Sequence, residues 1–139
     1  MQQSPIADLH VHTTASDGTM TLSELPAIAR EAGVDVVAVT DHDRFHPDLD
    51  GPVVERAGVT LIRGIELRVD AGDQRVDLLG FGVRETDALT ETVAAIQRDR
   101  IERGRRIVDC VEDRLGVDLG INPAEGLGRP HIARAIAAT

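Results

Sequence analysis

Residues 6–12 alternate between apolar and polar side chains. Ala7, Leu9 and Val11 fall on one side, and Asp8, His10 and His12 on the other. That period of two predicts a half-buried strand whose polar face carries three potential metal ligands. A Thr-Thr-Ala-Ser-Asp-Gly-Thr stretch follows and reads as a loop. Thr21, with Glu24 three positions on, forms a capping-box pattern. Leu22, Leu25, Ile28, Ala29 and Ala32 continue it at helical spacing, and Gly33 supplies the stop. Residues 34–40 are almost wholly apolar, as suits a strand covered on both faces. Strand, helix and buried strand make a βαβ unit, so these strands should run parallel.

Beyond that unit the pattern predicts a loop over 45–51 and a short helix over 52–57. Strands over 59–69 and 75–83 follow, joined at Ala71-Gly72-Asp73 as a hairpin. Thr86 opens a long helix that ends at Gly116. Its apolar stripe lapses between Arg98 and Arg106, and Gly104 there marks a bend or a close approach. After a loop, Pro130 suits the first turn of a last helix. The expected fold class is α/β, as one domain over residues 1–139.

The 139 residues are 42% hydrophobic, enough for a packed core. No apolar run approaches a bilayer span, and no basic-then-apolar leader opens the chain, so a cytoplasmic protein is expected. Cys110 stands alone, which excludes an internal disulfide and a cysteine-type zinc site; its apolar neighbours predict a core position. All 15 basic residues are arginine, against 24 acidic ones, for a net charge of −9. Such a surface repels bulk duplex nucleic acid. The lysine-free, aspartate-rich balance fits either a halophilic-like acidic protein or a GC-rich genome.

Chemistry concentrates where the strands end. His10 and His12 close the first strand, and Asp41 and His42 close the second. In α/β folds, sites gather at the carboxyl ends of parallel strands. Imidazole and carboxylate together suit Mn²⁺, Zn²⁺ or Fe²⁺, and favour hydrolytic over structural metal chemistry. A carboxylate such as Glu66 fits a bridge between two ions, an arrangement suited to phosphoryl displacement. Arginines would hold the phosphate; Arg100 and Arg103 near Gly104, and Arg129 and Arg134 beside His131, are the candidates, with His131 itself. The bland reading of 98–106 is a solvated helix face. His46, in a loop of Pro and Asp, reads as exposed.

Residues 8–19, Asp-Leu-His-Val-His-Thr-Thr-Ala-Ser-Asp-Gly-Thr, resemble the opening motif of the PHP family, the polymerase and histidinol phosphatase domain. Val39-Thr40-Asp41-His42-Asp43, Gly64-Ile65-Glu66-Leu67 and Gly128-Arg129-Pro130-His131 resemble its later motifs, in order. The resemblance implies a distorted (β/α)7 barrel with two or three divalent ions. It places His10, His12 and Glu66 around the first ion as the catalytic set, and Asp17 and His42 at another. It implies a phosphoesterase acting on a nucleotide, an oligonucleotide 5′ end or a small metabolite through metal-activated water. Asp77 stands where the family commonly has a histidine, and is expected as a further ligand. The family's later His-Pro and Asp-x-His ligands do not follow His131, so the chain reads as the N-terminal portion of the barrel. An open half-barrel favours pairing with a second copy. The rival reading is a non-catalytic PHP-like module that binds metal or nucleotide. An amidohydrolase shares the barrel and His-x-His, but wants a later histidine pair and a carboxylated lysine or a glutamate bridge, and this chain has no lysine.

Overall fold

The computed structural model describes residues 4–122 and 127–139. The chain forms two compact units, Met1–Glu85 and Thr86–Thr139.

The first unit holds β1 (Ala7–Val11), α1 (Leu25–Glu31), β2 (Val36–Val39), β3 (Val53–Arg56), β4 (Val59–Ala71) and β5 (Gln74–Phe81). The sheet is mixed. Its order is β1-β2-β4-β3, and β5 pairs with β4. β1 and β2 run parallel, as the βαβ pattern predicts, and β4 runs parallel to β2. β2 is buried on both faces, with Val37, Ala38 and Val39 all inaccessible. β1 is an edge strand of this sheet: Val11 is buried, but Leu9 is exposed. The core joins Val11, Val37, Val39, Val59 and Leu61 of the sheet to Leu25 and Ala29 of α1, one helical turn apart. Thr21 and Glu24 do bond each other, with the Thr21 N–H donating to Glu24 Oε2 at 2.8 Å. They close a turn before the helix rather than its first residues.

The short helix expected over 52–57 is instead β3, antiparallel to β4. Ala57 and Gly58 both take positive φ, 50° and 80°. Two consecutive positive φ values give the turn whose twist matches a tight hairpin. The five residues between Pro52 and Gly58 are too few to carry a decisive period, and β-branched Val53 and Val54 suit the strand.

The second unit holds α2 (Asp87–Leu115) and α3 (Arg129–Ala138). Thr86 caps α2, accepting the Leu89 N–H at 3.3 Å, and Gly116 ends it at φ 64°. The helix runs unbroken through Gly104, which is buried. Val108, Leu119 and Ile132 form the core of this unit. Cys110 is exposed, which corrects the core position expected for it. Two residues beyond Val108 is about 200° around a helix, on the opposite face. Among the described residues no helix is long and apolar enough to cross a membrane.

Candidate metal centre

The carboxyl ends of β1, β2 and the middle of β4 meet at one place. β4 runs past the end of β2, so that Glu66 bridges to His42. The Glu66 N–H donates to the Asp41 carbonyl at 3.1 Å, and the Asp43 N–H to the Glu66 carbonyl at 2.9 Å. Asp43 turns the chain there at φ 53°, a left-handed conformation that aspartate tolerates better than most residues. These backbone links set the Glu66 carboxylate, 3% exposed, as the floor of the site, while His10, 51% exposed, forms its open side.

Two imidazole nitrogens converge on that floor. His10 Nε2 lies 3.0 Å from Glu66 Oε2, His12 Nε2 lies 2.7 Å from the same oxygen, and the two imidazole nitrogens are 3.1 Å apart. Two donors bound at right angles to one ion at about 2.1 Å stand about 3.0 Å apart. The spacing therefore fits a shared cation. The chemistry of the set agrees. A carboxylate only accepts, and a neutral imidazole nitrogen lacking its proton also accepts. Such atoms facing one another call for a positive charge among them.

His12 belongs to a second group as well. Its Nδ1 lies 2.9 Å from Asp17 Oδ1, and Asp17 Oδ2 lies 3.6 Å from His42 Nε2. His42 Nδ1 is 3.4 Å from Glu66 Oε2, and its ring meets the His12 ring edge-on at 4.4 Å between centroids. Since Asp17 can only accept, His12 Nδ1 donates to it, which leaves Nε2 aimed at Glu66. Two overlapping groups able to hold an ion result: His10, His12 and Glu66; and His12, Asp17 and His42.

The structure thus brings together His10, His12, Asp17, His42 and Glu66. Asp77 stands outside both groups. Its two oxygens accept from Arg68, at 2.7 Å from Nε and 2.9 Å from Nη2. The Arg68 hydrogen bonds hold the Asp77 carboxyl below its ordinary range. Its register partner across the β4–β5 hairpin is Arg68. Arg100, Arg103, Arg129, His131 and Arg134 belong to the second unit. His131 Nδ1 accepts the Gly128 N–H at 3.0 Å, closing the start of α3.

Two features of the site were not foreseen. Asp41 is fully buried, and its carboxylate accepts three hydrogen bonds: Thr13 N–H at 2.8 Å, Thr13 Oγ1–H at 2.7 Å and Ser16 Oγ–H at 2.6 Å. It fastens the loop after β1 to the end of β2, beside His12 on one strand and His42 on the other. The buried strand leading into Asp41, with hydroxyls in the loop after β1, was the available signal. Gly18 packs against the His12 backbone, where an added Cβ would stand 2.2 Å from the His12 carbonyl oxygen. That contact lets Asp17 reach the His12 ring.

His46 corrects another expectation. It is buried, with Nδ1 accepting the Asp48 N–H at 3.1 Å. Burial lowers its pKa from the ordinary 6.5, outweighing the pull of Asp41 and Asp48. The unfolded chain therefore binds a proton before the folded one does. His46 contributes stability that is complete above pH 6.5 and is lost as pH falls through the lower folded value. Urea midpoints between neutral and mildly acid pH should fall with pH less steeply for His46→Asn than for the wild type. Equal slopes would refute this.

The PHP domain family model matches residues 8–122. A phosphoribosyl 1,2-cyclic phosphate 1,2-diphosphodiesterase from Eggerthella lenta is 35% identical over 132 residues, covering 89% of this chain and 48% of its own length. A 3′,5′-nucleoside bisphosphate phosphatase from Chromobacterium violaceum is 31% identical over 107 residues, covering 76% of this chain and 38% of its own. A 5′-3′ exoribonuclease from Haemophilus influenzae is 28% identical, covering 92% and 47%. The chain spans about half the length, or less, of these curated relatives. Among solved structures, a Bifidobacterium adolescentis protein described as a candidate metal-dependent phosphoesterase superposes with a TM-score of 0.72 at 26% identity, over 98% of this chain and 51% of its own. A Chromobacterium violaceum protein described as an amidohydrolase, with bound sulfate and no metal, gives 0.73 at 25% identity, over 95% and 49%.

Proposed function

The chain belongs to the PHP domain family, and from that premise we propose that it is a metal-dependent phosphoesterase. The substrate class is a phosphate ester of a nucleotide, an oligonucleotide 5′ end or a small metabolite. We propose one PHP domain spanning both units, as the N-terminal portion of a (β/α)7-type barrel, in a cytoplasmic protein. The observation that carries this is the convergence of His10, His12 and Glu66 on one point, with Asp17 and His42 against His12. The relatives named above differ in substrate, yet each name describes cleavage of a phosphoester bond.

In this reading His10, His12 and Glu66 hold one divalent ion, and His12, Asp17 and His42 lie around a neighbouring position. Bound Mn²⁺, Zn²⁺ or Fe²⁺ would supply Lewis acidity toward the phosphoryl oxygens and make water a competent nucleophile at neutral pH. The protein contributes geometry. Asp17 fixes the His12 tautomer, so that Nε2 presents a lone pair. Glu66 offers a buried, negatively charged floor that attracts cations and excludes competing anions. Asp41 keeps the two histidine-bearing strand ends at fixed separation. Arg100, Arg103, Arg129, His131 and Arg134 are proposed as phosphate contacts on the chemistry of guanidinium and imidazole.

The test is hydrolysis of p-nitrophenyl phosphate with added Mn²⁺, comparing the wild type with His10→Ala. Metal-dependent turnover that drops at least about tenfold in the variant is expected. Turnover unchanged by the substitution would refute the site, and no turnover by a metal-loaded chain would favour the binding-module reading.

A further inference from the structure

The Arg68–Asp77 pair has no part in the chemistry above, yet its position is next to it. Residues two apart in a strand share a face. Arg68 follows Glu66 by two in β4, so it rises from the same face as the carboxylate floor, roughly 7 Å along the strand. Asp77 is the residue opposite Arg68 on β5.

The grip between them is side-on: Nε and Nη2 of Arg68 each donate to one oxygen of Asp77, at 2.7 and 2.9 Å. A guanidinium has five N–H groups in a fixed plane. Side-on pairing uses two of them. The end-on fork, made by one N–H of each Nη, faces away from Asp77 and keeps the geometry that matches two phosphate oxygens. Asp77 thus fixes the plane of the guanidinium without occupying its outer edge. The other ion pair of the hairpin differs. Arg75 reaches Asp70 by a single contact of 3.2 Å, nearer the turn and more exposed.

We propose that Arg68, oriented by Asp77, binds the substrate phosphate beside the metal centre and sets affinity for it. This deepens the phosphoesterase reading and rests on it. Arg68 takes phosphate oxygens through its end-on fork. Asp77 touches no substrate; it is a positioning residue that limits the arginine to one orientation.

The experiment measures three quantities on metal-loaded protein: bound metal per chain, the calorimetric Kd of inorganic phosphate, and kcat and KM for p-nitrophenyl phosphate. The variants are Arg68→Ala, Arg68→Lys, Asp77→Asn and, as a control, Arg75→Ala. For Arg68→Ala and Arg68→Lys, Kd and KM should rise about tenfold, with kcat changed less than about twofold. For Asp77→Asn the rise should be about threefold, and for Arg75→Ala none. Metal content should be unchanged in all four. Wild-type phosphate affinity in Arg68→Ala would overturn the proposal, as would loss of metal in Asp77→Asn, which would make Asp77 a ligand. A wild type that binds no phosphate would overturn it too. Arg68-dependent phosphate binding in a chain without turnover would uphold the phosphate site while refuting the hydrolytic reading.

Discussion

Glu66→Gln should abolish metal-dependent activity, with a loss of at least about 100-fold, the upper end of what losing even an orienting partner of a ligand costs. Glu66 Oε2 is within 3.4 Å of three imidazoles, from His10, His12 and His42. Glutamine keeps the shape and can still hydrogen-bond in that space, but it removes the charge that draws a cation into the ring of histidines. The backbone links of Glu66 to Asp41 and Asp43 do not depend on its side chain. The fold should therefore survive. Thermal melts separate the two effects. Saturating Mn²⁺ should raise the midpoint of the wild type, since an ion at 100 times its Kd contributes about 2.7 kcal/mol. In Glu66→Gln the midpoint should rise less with Mn²⁺, since only the His12, Asp17 and His42 group remains. An unaltered metal-induced shift in the variant would show that the ion binds elsewhere.

Asp41→Ala should be the most destabilising single change near the site, costing about 3 kcal/mol or more. Its carboxylate satisfies one buried N–H and two buried hydroxyls. With the acceptor gone, the Thr13 N–H is left in a fully buried position. The hydroxyls can turn to other partners, but the amide cannot. Against a typical total stability of about 5–15 kcal/mol, that is a large share. Urea denaturation reads the effect directly. Ser16→Ala, which removes one donor and leaves the carboxylate with two, should cost about 1 kcal/mol. A shift for Asp41→Ala within about 0.5 kcal/mol of wild type, as at ordinary surface positions, would show that the network does not hold the strand ends.

Much of the centre was legible in the sequence. Alternation placed His10 and His12 on one strand face, and the end of an apolar run placed His42. The family motifs added Asp17 and Glu66, and the structure sets all five together. What escaped depended on partners distant in sequence. The sequence offers Asp77 as a ligand, and only the hairpin register sets Arg68 opposite it. His46 reads as a loop residue until its ring is found buried over the Asp48 amide. Asp41 looks like one of three polar residues after a strand; its work appears only when the loop after β1 folds back onto it. The short run ending at Ala57 was ambiguous for a local reason, because five residues between breakers fit a strand or a helix equally well.

The most direct measurement is the metal content of the purified chain after equilibrium dialysis against Mn²⁺, with Glu66→Gln and His12→Ala in parallel. At least one ion per wild-type chain is expected, with less in Glu66→Gln, which keeps the second group, and none above buffer in His12→Ala, which breaks both. A wild type that retains no more metal than the buffer, or variants that retain as much as the wild type, would contradict a metal centre built on His10, His12 and Glu66.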